Sequence, residues 1–298
     1  MTPRENLVAS AQMVNQKLNY FRWKPDKVTS GKNPPTLVFL HGMGGTGQIW
    51  RSIAAFLEEK WDCIAPDQRG HGKSRTFLKT SENDFHAEAY AKDVLELLDS
   101  LQIENCLLIG HSMGVRTALA LAKSAPSRIK GLIAVDIGIS SSWGGGMGVP
   151  LARFLQNLPE TFPDRVQMKN YLNTHCPDPA IAQYLGAVAQ KSTETPETWS
   201  FPFDHNSLIQ TIEQAHEAPL EAWVQEILAS GIPVHFLRGM NSKVWLKKDY
   251  EEQKEKLKNP FLHFEEWENC GHGLPFEQRA RFVEFVRKVA ETAFNYQK

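Results

Sequence analysis

The side chain whose neighbours best suit it to chemistry is Ser112, at the centre of the GHSMG sequence of residues 110–114. An apolar run, residues 106–109, precedes this Gly-x-Ser-x-Gly motif, and a helix-forming run, residues 115–123, follows it. We therefore expect a strand, a sharp turn and a helix, with the serine hydroxyl presented on the turn as a nucleophile. The flanking glycines fit this prediction, because such a strained turn leaves no room for side chains beside it.

A serine hydroxyl becomes a good nucleophile when a base accepts its proton, and the usual base is a histidine held by a carboxylate. His272 is the candidate among ten histidines, since it lies between two glycines directly after the last predicted strand. The glycines allow this loop to direct the imidazole back over the sheet. The alternative is an ordinary loop histidine with no chemical role.

The carboxylate partner is predicted at Asp136, which ends the strand expected beside the serine strand. The usual place for this acid is the turn after the strand at residues 233–237. That turn, residues 238–243, contains no acid, and Asp249 lies too far on, inside the following helix. Asp136 keeps the chain order serine, acid, histidine. The alternative is that Asp136 only ties down the end of its strand.

A tetrahedral intermediate also needs N–H groups for its oxyanion. The backbone N–H of Met113 is one expected donor, because it directly follows the nucleophile. The second donor is expected in the HGMGG loop of residues 41–45, where Met43 is the first choice and Gly42 and Gly44 come next. The alternative is a glycine-rich turn without a chemical role. A phosphate-binding loop is disfavoured, because no GKS or GKT triplet completes one here.

Short apolar runs alternate with amphipathic helical segments on both sides of these motifs. This alternation predicts a mostly parallel central sheet flanked by helices on both faces, which is an α/β fold. The predicted strands are two within residues 11–23 and then 36–40, 62–65, 106–109, 131–137, 233–237 and 261–267. The predicted helices are 49–60, 85–101, 115–123, 248–257 and 275–294, and the first has Ile49, Ile53, Phe56 and Leu57 on one apolar face.

The alternation stops after residue 137 and resumes near residue 233. We therefore predict a mainly helical cap, residues 139–230, inserted between strands six and seven of a core domain formed by residues 1–138 and 231–298. A pocket is expected beneath this cap at the carboxyl ends of the strands. The candidates for substrate contact are His41, Gly42, His111, Trp143, Trp199 and Phe201. Core packing is the alternative role for the cap aromatics, and an anchoring role is the alternative for His111.

The composition excludes several classes of function. The 298 residues carry a net charge of −1, so no strong field would recruit nucleic acid or acidic lipid. No apolar stretch is long enough to span a membrane, and no signal peptide is recognised at the start. The four cysteines lack CxxC spacing, which favours a reduced, cytoplasmic protein. We expect no metal or organic cofactor, a small-molecule ester as partner, and a monomer or homodimer.

Taken together, these motifs resemble the α/β-hydrolase superfamily over nearly the whole chain. The carrying residues are His41-Gly42, the DQRGHGKS run of residues 67–74, the GHSMG motif and Gly271-His272. The resemblance implies the α/β-hydrolase fold and a serine hydrolase site. Within the superfamily the chain is most similar to cytosolic short-chain esterases with their acid after the sixth strand, on the strength of Asp136 and the WSFPFD run of residues 199–204. Two positions depart from the pattern: Val115 replaces a common glycine, and Asn241 stands at the commoner acid position.

The expected reaction is hydrolysis of a carboxylic ester or thioester with a small-to-medium apolar acyl group, through an acyl-enzyme on Ser112. Hydrolysis of a C–C bond, or a lyase reaction, is an alternative on the same three residues. A non-catalytic ligand-binding protein is a further alternative, because a fold alone does not establish turnover. Enzymes of this fold that use an aspartate nucleophile are disfavoured by Ser112.

Overall fold

The structure is a computed structural model that describes residues 18–25, 33–76, 84–139, 148–192 and 195–295. Its strands are β1 (Tyr20–Trp23), β2 (Thr36–Leu40), β3 (Asp62–Pro66), β4 (Cys106–His111), β5 (Ile129–Val135), β6 (Thr161–Phe162), β7 (Gln190–Lys191), β8 (Trp199–Ser200), β9 (Val234–Gly239) and β10 (Leu262–Trp267). Its helices are α1 (Arg51–Ala54), α2 (Ala87–Ser100), α3 (Met113–Ser124), α4 (Gly148–Gln156), α5 (Arg165–His175), α6 (Pro179–Val188), α7 (His205–Gln214), α8 (Leu220–Ala229), α9 (Lys247–Lys256), α10 (Leu274–Glu277) and α11 (Arg279–Asn295).

Seven of these strands form one sheet in the order β1-β3-β2-β4-β5-β9-β10. Strand β1 pairs antiparallel with β3, and every other pairing in this sheet is parallel. The predicted mostly parallel sheet is therefore confirmed. Strand β4 occupies the middle, with β2 and β5 on either side, so that its carboxyl end is surrounded by the ends of both neighbours.

Helices cover both faces of this sheet, which explains why its central strands are apolar along their whole length. Every residue of β2, β3 and β4 is buried. One hydrophobic cluster joins the sheet to α2, α3, α8 and α9, and a second joins its other face to α1 and α11. Each fully buried aliphatic or aromatic side chain in these clusters contributes about 1.5–3 kcal/mol to folding.

The segment between β5 and β9 forms the predicted, mainly helical cap. It contains α4 to α8 and a small antiparallel sheet in the order β6-β8-β7. It also has its own hydrophobic cluster, separate from those of the large sheet. The cap follows the fifth described strand of the large sheet, which is the sixth in the count from sequence. Of the two strands predicted in residues 11–23, only β1 is described, because residues 1–17 lie outside the described part of the chain.

Two predicted helices differ from the observed ones. The helix predicted over residues 49–60 ends at Ala54 and continues as hydrogen-bonded turns. Phe56 is predicted on the buried face of this helix, but it is 55% exposed because the helix ends two residues before it. The guanidinium of Arg279 lies over the Phe56 ring. The helix predicted over residues 275–294 is divided into α10 and α11.

Among the described residues, no helix combines the length and the apolar character needed to cross a membrane.

Candidate active site

Ser112 occupies a strained turn between β4 and α3, where its φ of 53° and ψ of −119° lie outside the ordinary regions for a non-glycine residue. Its backbone N–H donates to the Val135 carbonyl at 2.9 Å, which ties the turn to the neighbouring strand. A Cβ on Gly114 would lie 2.3 Å from the Leu40 oxygen, and one on Gly110 would lie 2.5 Å from the Gly114 oxygen. Both glycines are therefore required by close backbone approach.

His272 and Asp136 are joined by a hydrogen bond of 2.8 Å between Nδ1 of the imidazole and Oδ2 of the carboxylate. Asp136 directly follows β5, has a φ of 54° and is fully buried, while the His272 side chain is 25% exposed. Because Nδ1 donates its proton to the carboxylate, Nε2 retains a lone pair that can accept a proton. This is the arrangement a general base requires.

Two further groups hold the Asp136 carboxylate. The Gly239 N–H donates to Oδ1 at 2.9 Å, and the Ser242 hydroxyl donates to Oδ2 at 2.5 Å. Both donors belong to β9 and the turn after it, where the acid is usually expected. The absence of an acid from this turn is visible in the sequence, whereas the contact of Ser242 is not. No local sequence signal marks this serine, because the carboxylate that it binds lies 106 positions away in the chain.

His111 connects the nucleophile turn to the loop that carries the base. Its Nε2–H donates to the His272 carbonyl at 2.8 Å, and the two imidazole rings lie 4.8 Å apart between centroids. Burial lowers the pKa of His111 to about 3, so the ring is neutral at ordinary pH. The residue before Ser112 thus anchors the His272 loop, which brings the predicted nucleophile and base to the same end of the sheet.

The HGMGG loop follows β2 and lies beside the serine turn. A Cβ on Gly42 would be 3.2 Å from the Ser112 Cβ. The Gly44 N–H already donates to Nε2 of His71 at 3.0 Å, and the Gly45 N–H donates to the Gly42 carbonyl at 3.1 Å. These engagements favour the amides of Gly42 and Met43 as the loop's donors to an oxyanion.

Met113 is the first residue of α3, so its N–H belongs to the end of the helix that has no acceptor within it. Its side chain packs in a small cluster with Phe85 and Tyr90, and Met43 packs against the same cluster. The two predicted oxyanion residues are therefore neighbours.

Two buried histidines hold the HGMGG loop, His41 from within it and His71 from a neighbouring segment. His41 accepts the Gln68 N–H on Nε2 at 3.0 Å and donates from Nδ1 to the Gly42 carbonyl at 2.8 Å. His71 accepts the Gly44 N–H on Nε2 and donates from Nδ1 to the Arg69 carbonyl at 2.8 Å. Burial lowers the pKa of His41 to about 4 and that of His71 to about 3. The side chain of His41, the first residue of the loop, is thus fully buried and hydrogen-bonded through both ring nitrogens.

The cap residues predicted to contact substrate lie in the cap's own packing. Phe201 is buried and stacks on Phe203 with a centroid distance of 5.3 Å. Trp199 is partly buried, and the Arg165 guanidinium lies 5.2 Å from its ring centroid. Trp143 lies outside the described residues.

Three other cap side chains approach the HGMGG loop, and the sequence argument did not single them out. Phe203 and Leu185 each come within 3.4 Å of a Cβ built on Gly44. The Tyr184 hydroxyl would lie 2.4 Å from a Cβ built on Gly45. Helical periodicity in the cap reveals its buried face but not which buried residues face the core. Among the described residues, no three His, Cys, Asp or Glu side chains are grouped closely enough to hold a metal ion.

Comparison with known proteins identifies the family. A family model described as the alpha/beta hydrolase fold matches residues 35–277. This chain therefore belongs to the α/β-hydrolase family, as the sequence motifs predicted. The mouse (Mus musculus) sn-1-specific diacylglycerol lipase ABHD11 is 27% identical over 259 residues, which cover 85% of this chain and 80% of that protein.

Other relatives match over shorter lengths. The uncharacterized protein Rv2715 of Mycobacterium tuberculosis (strain ATCC 25618 / H37Rv) is 34% identical over 104 residues, so the match spans only 29% of that protein. The 2-(acetamidomethylene)succinate hydrolase of Mesorhizobium japonicum is 27% identical over 129 residues, 43% of this chain and 45% of that protein.

Solved structures agree on the fold. A marine microorganism esterase superposes with a TM-score of 0.71 at 21% identity, covering 91% of this chain and 98% of that one. An E-2-(acetamidomethylene)succinate hydrolase superposes with a TM-score of 0.73 at 20% identity, covering 92% and 95%. At this level of identity the likeness establishes the fold, and the hydrolase class comes from the family as a whole.

Proposed function

We propose that this member of the α/β-hydrolase family hydrolyses carboxylic esters, and thioesters of the same acyl groups, through an acyl-enzyme on Ser112. The observation that carries the proposal is the 2.8 Å hydrogen bond between His272 and the buried Asp136, formed at the end of the sheet where Ser112 occupies its strained turn. An aligned histidine and carboxylate at the same end of the sheet as a partly exposed serine is the constellation that acyl transfer requires.

In the first half of the reaction, Ser112 Oγ attacks the substrate carbonyl carbon while His272 Nε2 accepts the hydroxyl proton. The Asp136 carboxylate stabilises the resulting imidazolium through its bond to Nδ1. The amides of Met43 and Met113 donate to the oxyanion, each directed to where negative charge develops. The tetrahedral intermediate collapses as His272 gives its proton to the leaving alcohol or thiol.

In the second half, water replaces the alcohol. His272 accepts a proton from the water as its oxygen attacks the acyl carbon, and the same two amides hold the second oxyanion. Collapse returns the proton to Ser112 and releases the carboxylic acid. Ser112, His272 and water account for every proton and every bond that changes in the two halves.

The contacts of the cap bear on the substrate. Side chains of Leu185 and Phe203 face Gly44, so an apolar surface lies over the loop proposed to bind the oxyanion. We infer that residues 139–230 act as a lid over a core of residues 1–138 and 231–298, and that the acyl group is small to medium and apolar. The short-chain esterase resemblance supports the same substrate class.

A second reaction is favoured by one finding. One relative is named as a 2-(acetamidomethylene)succinate hydrolase, which is not an esterase by name, and the matching structure shares this fold. Hydrolysis of a bond other than an ester is therefore the competing proposal, and it would use the same three residues.

The test is the hydrolysis of p-nitrophenyl esters from acetate to decanoate by the wild type and by Ser112→Ala. We expect turnover that depends on Ser112 and declines with the longer chains. Labelling by a fluorophosphonate gives a second readout that does not depend on the substrate. Labelling of Ser112 without turnover of any ester would favour the competing hydrolase, and an unlabelled, inactive wild type would contradict catalysis by this site.

A further inference from the structure

We propose that Ser242 is a positioning residue for catalysis, whose hydroxyl fixes the orientation and moderates the charge of the Asp136 carboxylate. This inference rests on the proposed function, because it assigns Asp136 the acid's role. It goes beyond that function because it assigns a role to the turn after β9, which contains none of the three reacting side chains.

The contacts of Ser242 leave its hydroxyl a single orientation. Its Oγ lies 2.5 Å from Oδ2 of Asp136, 3.2 Å from the Val244 nitrogen and 3.3 Å from the Trp245 nitrogen. The two amides can only donate and the carboxylate oxygen can only accept. The single hydroxyl proton is therefore directed to Asp136, and the lone pairs receive the two amides.

A buried cation holds the backbone of this turn. The Arg238 Nε–H donates to the Trp245 carbonyl at 2.7 Å, and Nη2 lies 3.4 Å from the Ser242 carbonyl oxygen. Arg238 is 2% exposed and forms an ion pair with Glu266. The hydroxyl is thus presented by a fixed backbone.

The carboxylate needs such a partner because it is fully buried. The Gly239 N–H binds Oδ1, whereas His272 Nδ1 and Ser242 Oγ share Oδ2. The Gly239 N–H on one oxygen and the Ser242 hydroxyl on the other fix the plane of the carboxylate, and His272 then binds Oδ2 in that plane. Without the hydroxyl, only the Gly239 bond would oppose rotation of the group away from the imidazole.

Removal of the hydroxyl has a second effect, which is electrostatic. A hydrogen bond from Ser242 spreads the negative charge that Oδ2 otherwise presents to His272. Without it, the carboxylate would favour the imidazolium more strongly. The pH at which activity is half-maximal on the acid side should then rise, an effect that a merely structural residue would not produce.

The experiment compares Ser242→Ala, Ser242→Thr and the control Lys243→Ala. Lys243 is the next residue of the same turn, and its side chain is 74% exposed. For Ser242→Ala we expect kcat to fall about 10- to 100-fold with little change in KM, the loss corresponding to one hydrogen bond to a charged group. The acid limb of kcat/KM should move up by as much as about one pH unit. Ser242→Thr should recover most of the rate, and Lys243→Ala should match the wild type.

A measurement independent of turnover is the far-downfield proton NMR signal of His272 Nδ1–H, assigned by its loss in Asp136→Asn and His272→Gln. In Ser242→Ala this signal should change its chemical shift and exchange faster with water, because the carboxylate that holds Nδ1–H is no longer fixed. An unchanged signal together with kcat within about threefold of the wild type would overturn the inference. If the wild type hydrolyses no ester, the proposed function fails, and a moved NMR signal would still support the positioning role.

Discussion

Lowering the pH from about 7.5 to about 5 should remove about 6 kcal/mol of stability at three buried histidines near the site, because they are neutral when folded. These are His41, His71 and His111, of which the first two are fully buried and the third is 4% exposed. Their rings are hydrogen-bonded to backbone groups in one tautomer. A second proton on His41 or His71 would place an N–H against the N–H it now accepts.

The loss of stability on acidification follows from the direction in which folding shifts the pKa values of these histidines. Burial lowers the pKa of His41 to about 4 and the pKa values of His71 and His111 to about 3. An unfolded histidine titrates near pH 6.5, so below that pH the unfolded chain binds more protons than the folded one. Their contribution to stability is fully present above about pH 6.5 and declines as the pH falls towards the folded pKa values.

The magnitude comes from the same relation. At about pH 5 each unfolded histidine gains RT ln(1 + 10^1.5), about 2 kcal/mol, while the folded ones remain almost unprotonated. Three such groups give about 6 kcal/mol. This is comparable with the whole stability of a typical domain, about 5–15 kcal/mol.

The assay is reversible urea unfolding followed by tryptophan fluorescence at the two pH values, with the free energy of unfolding as the readout. His71→Gln isolates one contribution, because glutamine is neutral throughout and its oxygen can accept the Gly44 N–H. This variant should be less stable at about pH 7.5 but should lose about 2 kcal/mol less on acidification than the wild type.

An exposed histidine whose pKa is shifted in the opposite direction serves as the control. Glu217 and Asp84 raise the pKa of His86, so this group contributes stability that is present at low pH and lost as the pH rises through its folded pKa. His86→Gln should therefore steepen the loss on acidification. Equal stability at the two pH values, or the same pH dependence in wild type and His71→Gln, would refute the reasoning.

Three substitutions test other parts of the structure. Asp136→Asn should lower kcat by about 10⁴ with the fold intact, because the amide favours the wrong tautomer of the base, and steady-state kinetics on p-nitrophenyl butyrate measures this. Gly114→Ala should destabilise the protein by about 1–3 kcal/mol in urea, since its Cβ would lie 2.3 Å from the Leu40 oxygen. Asp93→Asn should cost about 3–5 kcal/mol in the same assay, because it leaves the buried Arg69 guanidinium without its carboxylate.

The two stability predictions each have a matched comparison. Gly186→Ala, in α6, adds a Cβ that would lie 3.8 Å from Leu172 Cδ1, an ordinary van der Waals distance, so it should change stability by at most about 1 kcal/mol. Asp99→Asn removes the exposed partner of Arg128 and should change stability by at most about 1 kcal/mol. If these two variants were as damaging as Gly114→Ala and Asp93→Asn, close packing and burial would not be the causes we assign. A near-normal kcat in Asp136→Asn would contradict its role as the acid.

The mostly parallel large sheet could be predicted from sequence because its central strands are apolar runs, two of which lead directly into the HGMGG and GHSMG motifs. Asp136 was reached by elimination, since the turn after β9 lacks an acid, and its bond to His272 joins residues 136 positions apart. What could not be predicted was its environment. Ser242 lies in a polar turn, and nothing local distinguishes a hydroxyl that binds a buried carboxylate from one that faces solvent.

The same limit explains Asp93 and Phe56. A charge on an amphipathic helix is ordinarily solvated, yet Asp93 is 4% exposed because Arg69 supplies its partner across the fold. The apolar spacing of residues 49–60 predicted that Phe56 is buried, and the early end of α1 leaves it exposed. Periodicity reports the average face of an element, whereas both of these outcomes depend on contacts with distant segments.

One such set of distant contacts links the cap to the HGMGG loop. The Gly72 N–H donates to the Pro202 carbonyl at 2.6 Å, and the Asp204 N–H donates to the Gly70 carbonyl at 2.9 Å. Between them lies His71, which pairs with the cap backbone at Phe203 while its ring accepts the Gly44 N–H.

The backbone of residues 202–204 is therefore bound to the same short segment that supports the HGMGG loop. A displacement of the cap on this side would strain the amides proposed to hold the oxyanion, because the two are connected through one residue. If substrate enters by movement of the cap, the part of the cap that moves should lie away from these backbone contacts. The oxyanion donors would then stay in place. The position of the cap segment around Phe203 is therefore coupled to that of the HGMGG loop.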